Sequence, residues 1–289
     1  FSIKILHTNQ HSDKYLFKNI CNDLNLNDPD FLINKINVKN NVDMINYFMK
    51  KISKVLDYYK PDCVVIFGDV DTTLAAGLTA AKKGYFIFHI EAGLRSTESK
   101  MQEEINRKIV DHIADINFCT TSESLKHLTK ENLEKKSYFV GNIIFDNYFN
   151  LKDKIDNSKI LEKLSIIRNN YILVTIHRYQ NIDNKESLNK LCILLNKLSK
   201  FYTVIFTCHS RTKKNLKQNK LMKNINKDVV IINPQPYTDF TKLLINSKVI
   251  VTDSGGVHEE AYFHQKKCLV LRKTLEREEF INTKNTIKV

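Results

Sequence analysis

The stretch CVVIFGDVDTTLAAGLTAAKKGYFIFHIEAGLRS, residues 63–96, decides the fold class. Two apolar, β-branched and aromatic runs, CVVIFG and YFIFHI, enclose DTTLAAGLTAA, whose small residues predict a helix packed close against a sheet. A strand, a crossover helix and a second strand make a parallel βαβ unit. Each run ends in polar chemistry: the first at Asp69, the second at Glu91 with Arg95 just beyond.

The same alternation continues outward. SIKILH, INFCT, SYFVG, YILVTI, TVIFTC, VVIIN, KVIVT and CLVLR read as further strands, apolar at nearly every position and so covered on both faces. Between them lie helical patterns such as EEINRKIVDHIADI, in which Ile105, Ile109 and Ile113 recur on one side. The polar segment NYFNLKDKIDNSKILEKLSIIRNN separates five strands from five. The prediction is an α/β chain of two Rossmann-like, doubly wound domains, residues 1–150 and 151–289.

Composition narrows the function. The chain has 289 residues, 42% hydrophobic and 27% charged, which fits a globular protein. No apolar run approaches the roughly 20 residues needed to cross a membrane. Six scattered cysteines without a CxxC pair predict reduced thiols in a cytoplasm, and the histidines form no metal-binding cluster, so no metal is expected. The net charge of +13 sits on lysines interspersed with asparagines, as in RTKKNLKQNKLMKNINK, which reads as solvated helix faces. It points away from nucleic acid and towards a small phosphorylated partner.

Parallel α/β sheets bind ligands outside the carboxyl ends of their strands. Five of the seven glycines (Gly68, Gly93, Gly141, Gly255, Gly256) follow the apolar runs. In VIVTDSGGVHEEA a strand runs through Ser254-Gly255-Gly256 into a helix, a place where backbone N–H groups suit a phosphate. The same residues also read as an N-cap, with Asp253 or Ser254 capping and Glu259 and Glu260 complementing the helix dipole. Asp69 or Asp71 is open to the same capping reading. His177-Arg178 and His209 with Arg211 stand directly after strands, a pattern that favours anion binding. Glu103 opens a helix, where it either complements the dipole, pairs with Arg107, or does chemistry.

Taken in order, GDVDTTLAAGLTAA, HIEAGLRS, EEINR, VGNIIFD, HR at 177–178, TDSGGVHEEA and LVLRKTLER resemble the motifs of the non-hydrolysing UDP-N-acetylglucosamine 2-epimerases. The resemblance implies a fold like the GT-B glycosyltransferases, with a UDP-sugar in the cleft between the domains, a homodimer, and no cofactor. It implies that UDP is eliminated across carbon-1 and carbon-2 and added back after a proton returns on the other face, yielding UDP-N-acetylmannosamine for surface polysaccharide. The catalytic set then falls on Asp69, Glu91, Glu103 and His177. Nucleotide and substrate contacts fall on Arg95, Arg178, Ser254, Gly255, Gly256 and Glu260, with Arg95 orienting the carboxylates. Gln10, His11 and His209 match parts of an activating UDP-sugar site. Related epimerases of UDP-2,3-diacetamido uronic acids share much of this wording, and a GT-B glycosyltransferase or a non-catalytic UDP-sugar-binding protein shares the architecture. The family's opening strand and GTRPE-like loop are expected ahead of Phe1, and its closing helices beyond LVLRKTLER. Gln102, Ser210, Gln265, Lys267 and Glu278 stand where the family favours proline or glycine, and Gln265 is strained if its backbone needs a positive φ.

Overall fold

The computed structural model describes residues 1–9, 21, 24, 26–34, 36, 40–272, 280 and 285–289. Gln10, His11 and Glu278 lie outside the described residues. The chain divides into two compact units, one built mainly on residues 27–143 and the other mainly on residues 144–289.

The first unit is built on a parallel sheet of β3 (Cys63–Phe67), β4 (Phe86–Ala92), β5 (Ile116–Cys119) and β6 (Ser137–Phe139), in that spatial order. A separate pair, β1 (Leu6–His7) and β2 (Phe31–Leu32), also runs parallel. The predicted strand SIKILH therefore shortens to two residues outside the main sheet, and β2 carries too little periodicity to be foreseen. Helix α1 (Asn41–Tyr59) starts on Asn40, whose side chain accepts the Asp43 N–H, and buries Phe48, Ile52 and Leu56 at helical spacing. In α2 (Asp71–Lys82) Gly77 allows the closest approach: a Cβ there would stand 3.3 Å from Ile66 Cδ1 and Ile113 Cδ1.

Two expectations fail in this unit. The strands are not covered on both faces: Ile66 and Ile87 enter the core, whereas Val65, Phe67 and Phe86 project from the other face and stay exposed. In α3 (Gln102–Ile113), Ile105 and Ile109 are exposed, and the buried face carries Glu104, Asn106, Arg107, Val110 and Asp111. Ion pairs and hydrogen bonds, described below, replace apolar packing there.

The second unit has a six-stranded parallel sheet of β7 (Tyr171–Thr175), β8 (Thr203–Thr207), β9 (Val229–Ile232), β10 (Val249–Thr252), β11 (Cys268–Val270) and β12 (Thr286–Lys288). Alternate residues of β7 feed opposite cores: Ile172 and Val174 join one cluster, Tyr171 and Leu173 the other. Here both faces are covered, as the apolar runs predict. The spatial order is β12-β11-β10-β7-β8-β9. The chain runs outward from β7 through β8 to β9, then returns to the other side of β7 with β10. The order reverses between β7 and β10, and such a switch point opens a crevice at the strand ends. The strand β12 was not foreseen. No helix among the described residues is long and apolar enough to cross a membrane.

Candidate functional site

In the first unit the chemistry stands on the ends of β3 and β4, which pair as far as Phe67 and Ile90. Past Phe67 the chain turns at Gly68 with φ 64°, then presents Asp69. Past Ile90 the register with β5 shifts, and Glu91 adopts φ 71°, a left-handed conformation costly for a residue with a Cβ. The Gly68 N–H donates to the Ile90 carbonyl at 3.1 Å, tying the two turns together. Glu91 Oε2 lies 3.7 Å from where a Gly68 Cβ would stand, which sets that carboxylate beside the Gly68 turn.

Asp69 does not cap α2. The capping position is Val70, without a side-chain bond, and Asp71 lies inside the helix. The Asp69 carboxylate is instead held by Arg107, whose Nε donates to Oδ2 at 2.8 Å and whose Nη2 donates to the same atom. Asn106 donates to the Asp69 carbonyl oxygen at 2.8 Å. Glu103 is half-buried in the first turn of α3, one helical turn ahead of Arg107. The unit thus brings Asp69 and Glu91 to adjoining strand ends, with Glu103 on the helix that grips Asp69.

Arg95 is engaged by two further carboxylates. Its Nε and Nη2 donate to Glu131 at 2.7 and 2.6 Å, and its Nη1 to Asp111 at 2.7 Å. Burial works against the guanidinium charge, yet Glu131 and Asp111 together hold its pKa above the ordinary value. The matching effect appears on Glu131, which the hydrogen bond from Arg95 holds below the usual carboxylate range.

In the second unit the switch point carries the candidate residues. His177 and Arg178 follow β7, and Asp253-Ser254 follows β10 and leads into the helix Gly255–Phe263. Ser254 is the N-cap, its side chain accepting the Val257 N–H. Asp253, fully buried, points back across the switch point and accepts the N–H groups of His177 at 3.0 Å and Arg178 at 2.9 Å, and the Asn181 amide at 2.9 Å. Arg178 Nε donates to the Asp253 carbonyl. The helix begins on the glycines themselves and its first turn holds no acidic residue, so Glu259 and Glu260 are not the dipole partners that the capping reading supposed. Arg272, two residues past β11 and buried, sets its Nη1 3.4 Å from where a Gly255 Cβ would stand. A positive helix end, two bare glycines and a guanidinium together suit an anion.

His177 and His209 lie with ring centroids 5.7 Å apart. Burial lowers the His177 pKa, Asp253 opposes that, and His209 and Arg178 add to it, which favours the neutral ring. Arg211 pairs with Asp183 and does not join this group. Burial pushes the Glu260 carboxyl up to about 7, with only Thr241 Oγ1, 3.5 Å away, pulling the other way. Asp253 and Arg272 were not among the expected site residues. The signal for each was its place directly after a strand, in TDSGG and in LVLR.

Comparison with known proteins follows the same lines. The family model described as UDP-N-acetylglucosamine 2-epimerase matches residues 1–289. A protein of that name from Methanococcus maripaludis is 39% identical over 98% of this chain and 79% of its own length. The UDP-2,3-diacetamido-2,3-dideoxy-D-glucuronate 2-epimerase of Pseudomonas aeruginosa is 32% identical over 96% of this chain and 77% of its own. The crystal structure of Methanocaldococcus jannaschii UDP-GlcNAc 2-epimerase, in complex with UDP-GlcNAc and UDP, superimposes with a TM-score of 0.88 at 36% identity, covering 99% of this chain and 80% of that one.

Proposed function

The chain belongs to the UDP-N-acetylglucosamine 2-epimerase family, and we propose that it interconverts UDP-N-acetylglucosamine and UDP-N-acetylmannosamine without hydrolysis, the latter a building block for surface polysaccharide. The carrying observation is the pair of carboxylates at adjoining strand ends, Glu91 held in a left-handed turn beside Gly68-Asp69. A carboxylate takes the proton from carbon-2 as the bond from carbon-1 to the diphosphate oxygen breaks, giving 2-acetamidoglucal and UDP. A carboxylic acid returns a proton to the opposite face of carbon-2, and UDP adds back at carbon-1. The reaction calls for acid and base groups on both faces of one carbon, and Asp69, Glu91 and Glu103 supply them.

The departing UDP carries the negative charge that develops in the transition state. The Ser254-Gly255-Gly256 turn, Arg272, Arg178 and neutral His177 stabilise it, and Glu260 takes the ribose hydroxyls. Arg95 orients its neighbourhood from outside the substrate.

The test is proton NMR of UDP-N-acetylglucosamine with the protein in D₂O. The carbon-2 proton signal is expected to disappear while UDP-N-acetylmannosamine accumulates. Absence of exchange with this sugar, and exchange with the UDP-2,3-diacetamido uronic acid, would assign the chain to the substrate named for the Pseudomonas relative. Exchange with neither would refute the epimerase reading.

A further inference from the structure

One buried polar cluster in the first unit is used by none of these steps. Asp111 on α3 and His89 on β4 are both fully buried. His89 Nδ1 lies 2.8 Å from Asp111 Oδ1, and its Nε2 lies 2.8 Å from the Gly68 carbonyl oxygen. The other oxygen of Asp111 accepts the Gly93 N–H at 3.2 Å and Arg95 Nη1 at 2.7 Å. Gly68 immediately precedes Asp69, and Gly93 is two residues past Glu91. One buried carboxylate therefore holds both turns, reaching the first through an imidazole and the second directly.

Stability alone does not call for this arrangement. Desolvating an acid, a histidine and an arginine costs as much as their attraction returns, and apolar side chains of similar volume fill such a space at least as well. What a directional network adds is fixed geometry. Geometry is what Glu91 needs, because its left-handed backbone persists only where its surroundings over-determine it. The Gly68 N–H to Ile90 bond on one side and the Asp111 contact to Gly93 on the other clamp the residue between them.

We propose that His89 and Asp111 are positioning residues that set the spacing of the Asp69 and Glu91 carboxylates. This deepens the epimerase reading and rests on it for the role of those two carboxylates. A misplacement of about 1 Å in reacting groups costs on the order of 100-fold in rate, and that is the expected effect on kcat of His89→Leu, which removes both contacts. KM and the affinity for UDP are expected to hold, because the nucleotide-holding residues belong to the other unit. His89→Gln, whose amide reaches the Gly68 carbonyl, is expected to recover part of the lost kcat, and Asp111→Asn to behave like His89→Leu. A purely structural role would lower the folded fraction and leave kcat per folded molecule unchanged, which overturns the proposal.

A crystal structure of His89→Gln and His89→Leu supplies a readout independent of turnover. Glu91 Oε2 is expected to move by about 1 Å or more relative to Gly68 in the leucine variant, and to stay nearer its place in the glutamine variant. If the leucine variant does not fold, Asp111→Asn decides in its place: unaltered kcat with Glu91 unmoved in that variant overturns the inference. A wild-type protein inactive on UDP-sugars overturns the epimerase reading, while Glu91 unmoved in His89→Leu or Asp111→Asn overturns this one.

Discussion

Glu91 Oε2 sits 3.7 Å from the point where a side chain on Gly68 would begin. Both residues turn with positive φ, 71° and 64°, and only the glycine does so without cost. A carboxylate held against its local preference at a strand end is a candidate for chemistry. Glu91→Gln preserves its shape and removes its capacity to take a proton. Carbon-2 exchange in D₂O is expected to fall by about 10²–10⁴-fold, with UDP affinity unchanged by calorimetry. A glutamine variant that exchanges at the wild-type rate would remove Glu91 from the mechanism.

Two other glycines of the first unit separate strain from collision. Gly93 and Gly84 share positive φ, 81° and 75°, yet a Cβ on Gly93 would meet the Ser124 carbonyl oxygen at 2.4 Å, and one on Gly84 would meet nothing within 4 Å. Alanine at 84 carries only the left-handed strain, about 1 kcal/mol. Alanine at 93 adds the displacement of backbone and is expected to cost about 3 kcal/mol or more. Urea unfolding of the two variants measures the difference, and equal losses would mean that the helix bearing Ser124 yields freely.

How much of this is legible in the sequence depends on the range of the interaction. The βαβ unit at 63–96 is plain because strand and helix periods are local, and Asp69 and Glu91 stand out because an apolar run stops at each. The buried face of α3 is not legible. Periodicity assumes an apolar core, so Ile105 and Ile109 read as its contacts, whereas Arg107 and Asp111 turn inward because their partners, Asp69, His89 and Arg95, come from other elements. Asp253 is misread for the same reason. Next to Ser-Gly-Gly it looks like a cap, but its carboxylate is engaged 76 and 75 residues away, at His177 and Arg178. The exposed face of β3 escapes too, since Cys63, Val65 and Phe67 are as apolar as residues that are covered.

Gln265 tests a cost that is readable beforehand. It follows the helix Gly255–Phe263 with φ 52°, in a turn where Lys266 N–H donates back to the Ala261 carbonyl. Glycine removes about 1–2 kcal/mol of left-handed strain and returns roughly 0.4–1 kcal/mol of it as unfolded-state entropy. Gln265→Gly is therefore expected to raise stability by about 0.5–1 kcal/mol and Tm by about 1–4 °C. Calorimetry of the two proteins at one scan rate checks this, and a lower Tm for the glycine variant would show that the Gln265 side chain contributes more than its backbone costs.

Glu260 makes the second unit sensitive to pH. Burial raises its carboxyl from 4.5 to about 7, so between those values the folded state binds more protons than the unfolded one. Stability contributed by this group is therefore present below pH 4.5 and declines as pH rises to about 7. Glu260→Gln is expected to lose that slope and to gain up to roughly 3 kcal/mol relative to wild type at pH 8. Ribose hydroxyls donate to a carboxylate and favour its ionised form. The last proton of the UDP diphosphate also titrates at about pH 6. Binding of UDP near pH 6.5 should then release more protons from the wild type than from the variant, read by titration calorimetry in buffers of different ionisation enthalpy. Equal proton release by the two proteins would place the ribose elsewhere, whereas a retained stability slope in Glu260→Gln would assign the titration to another group.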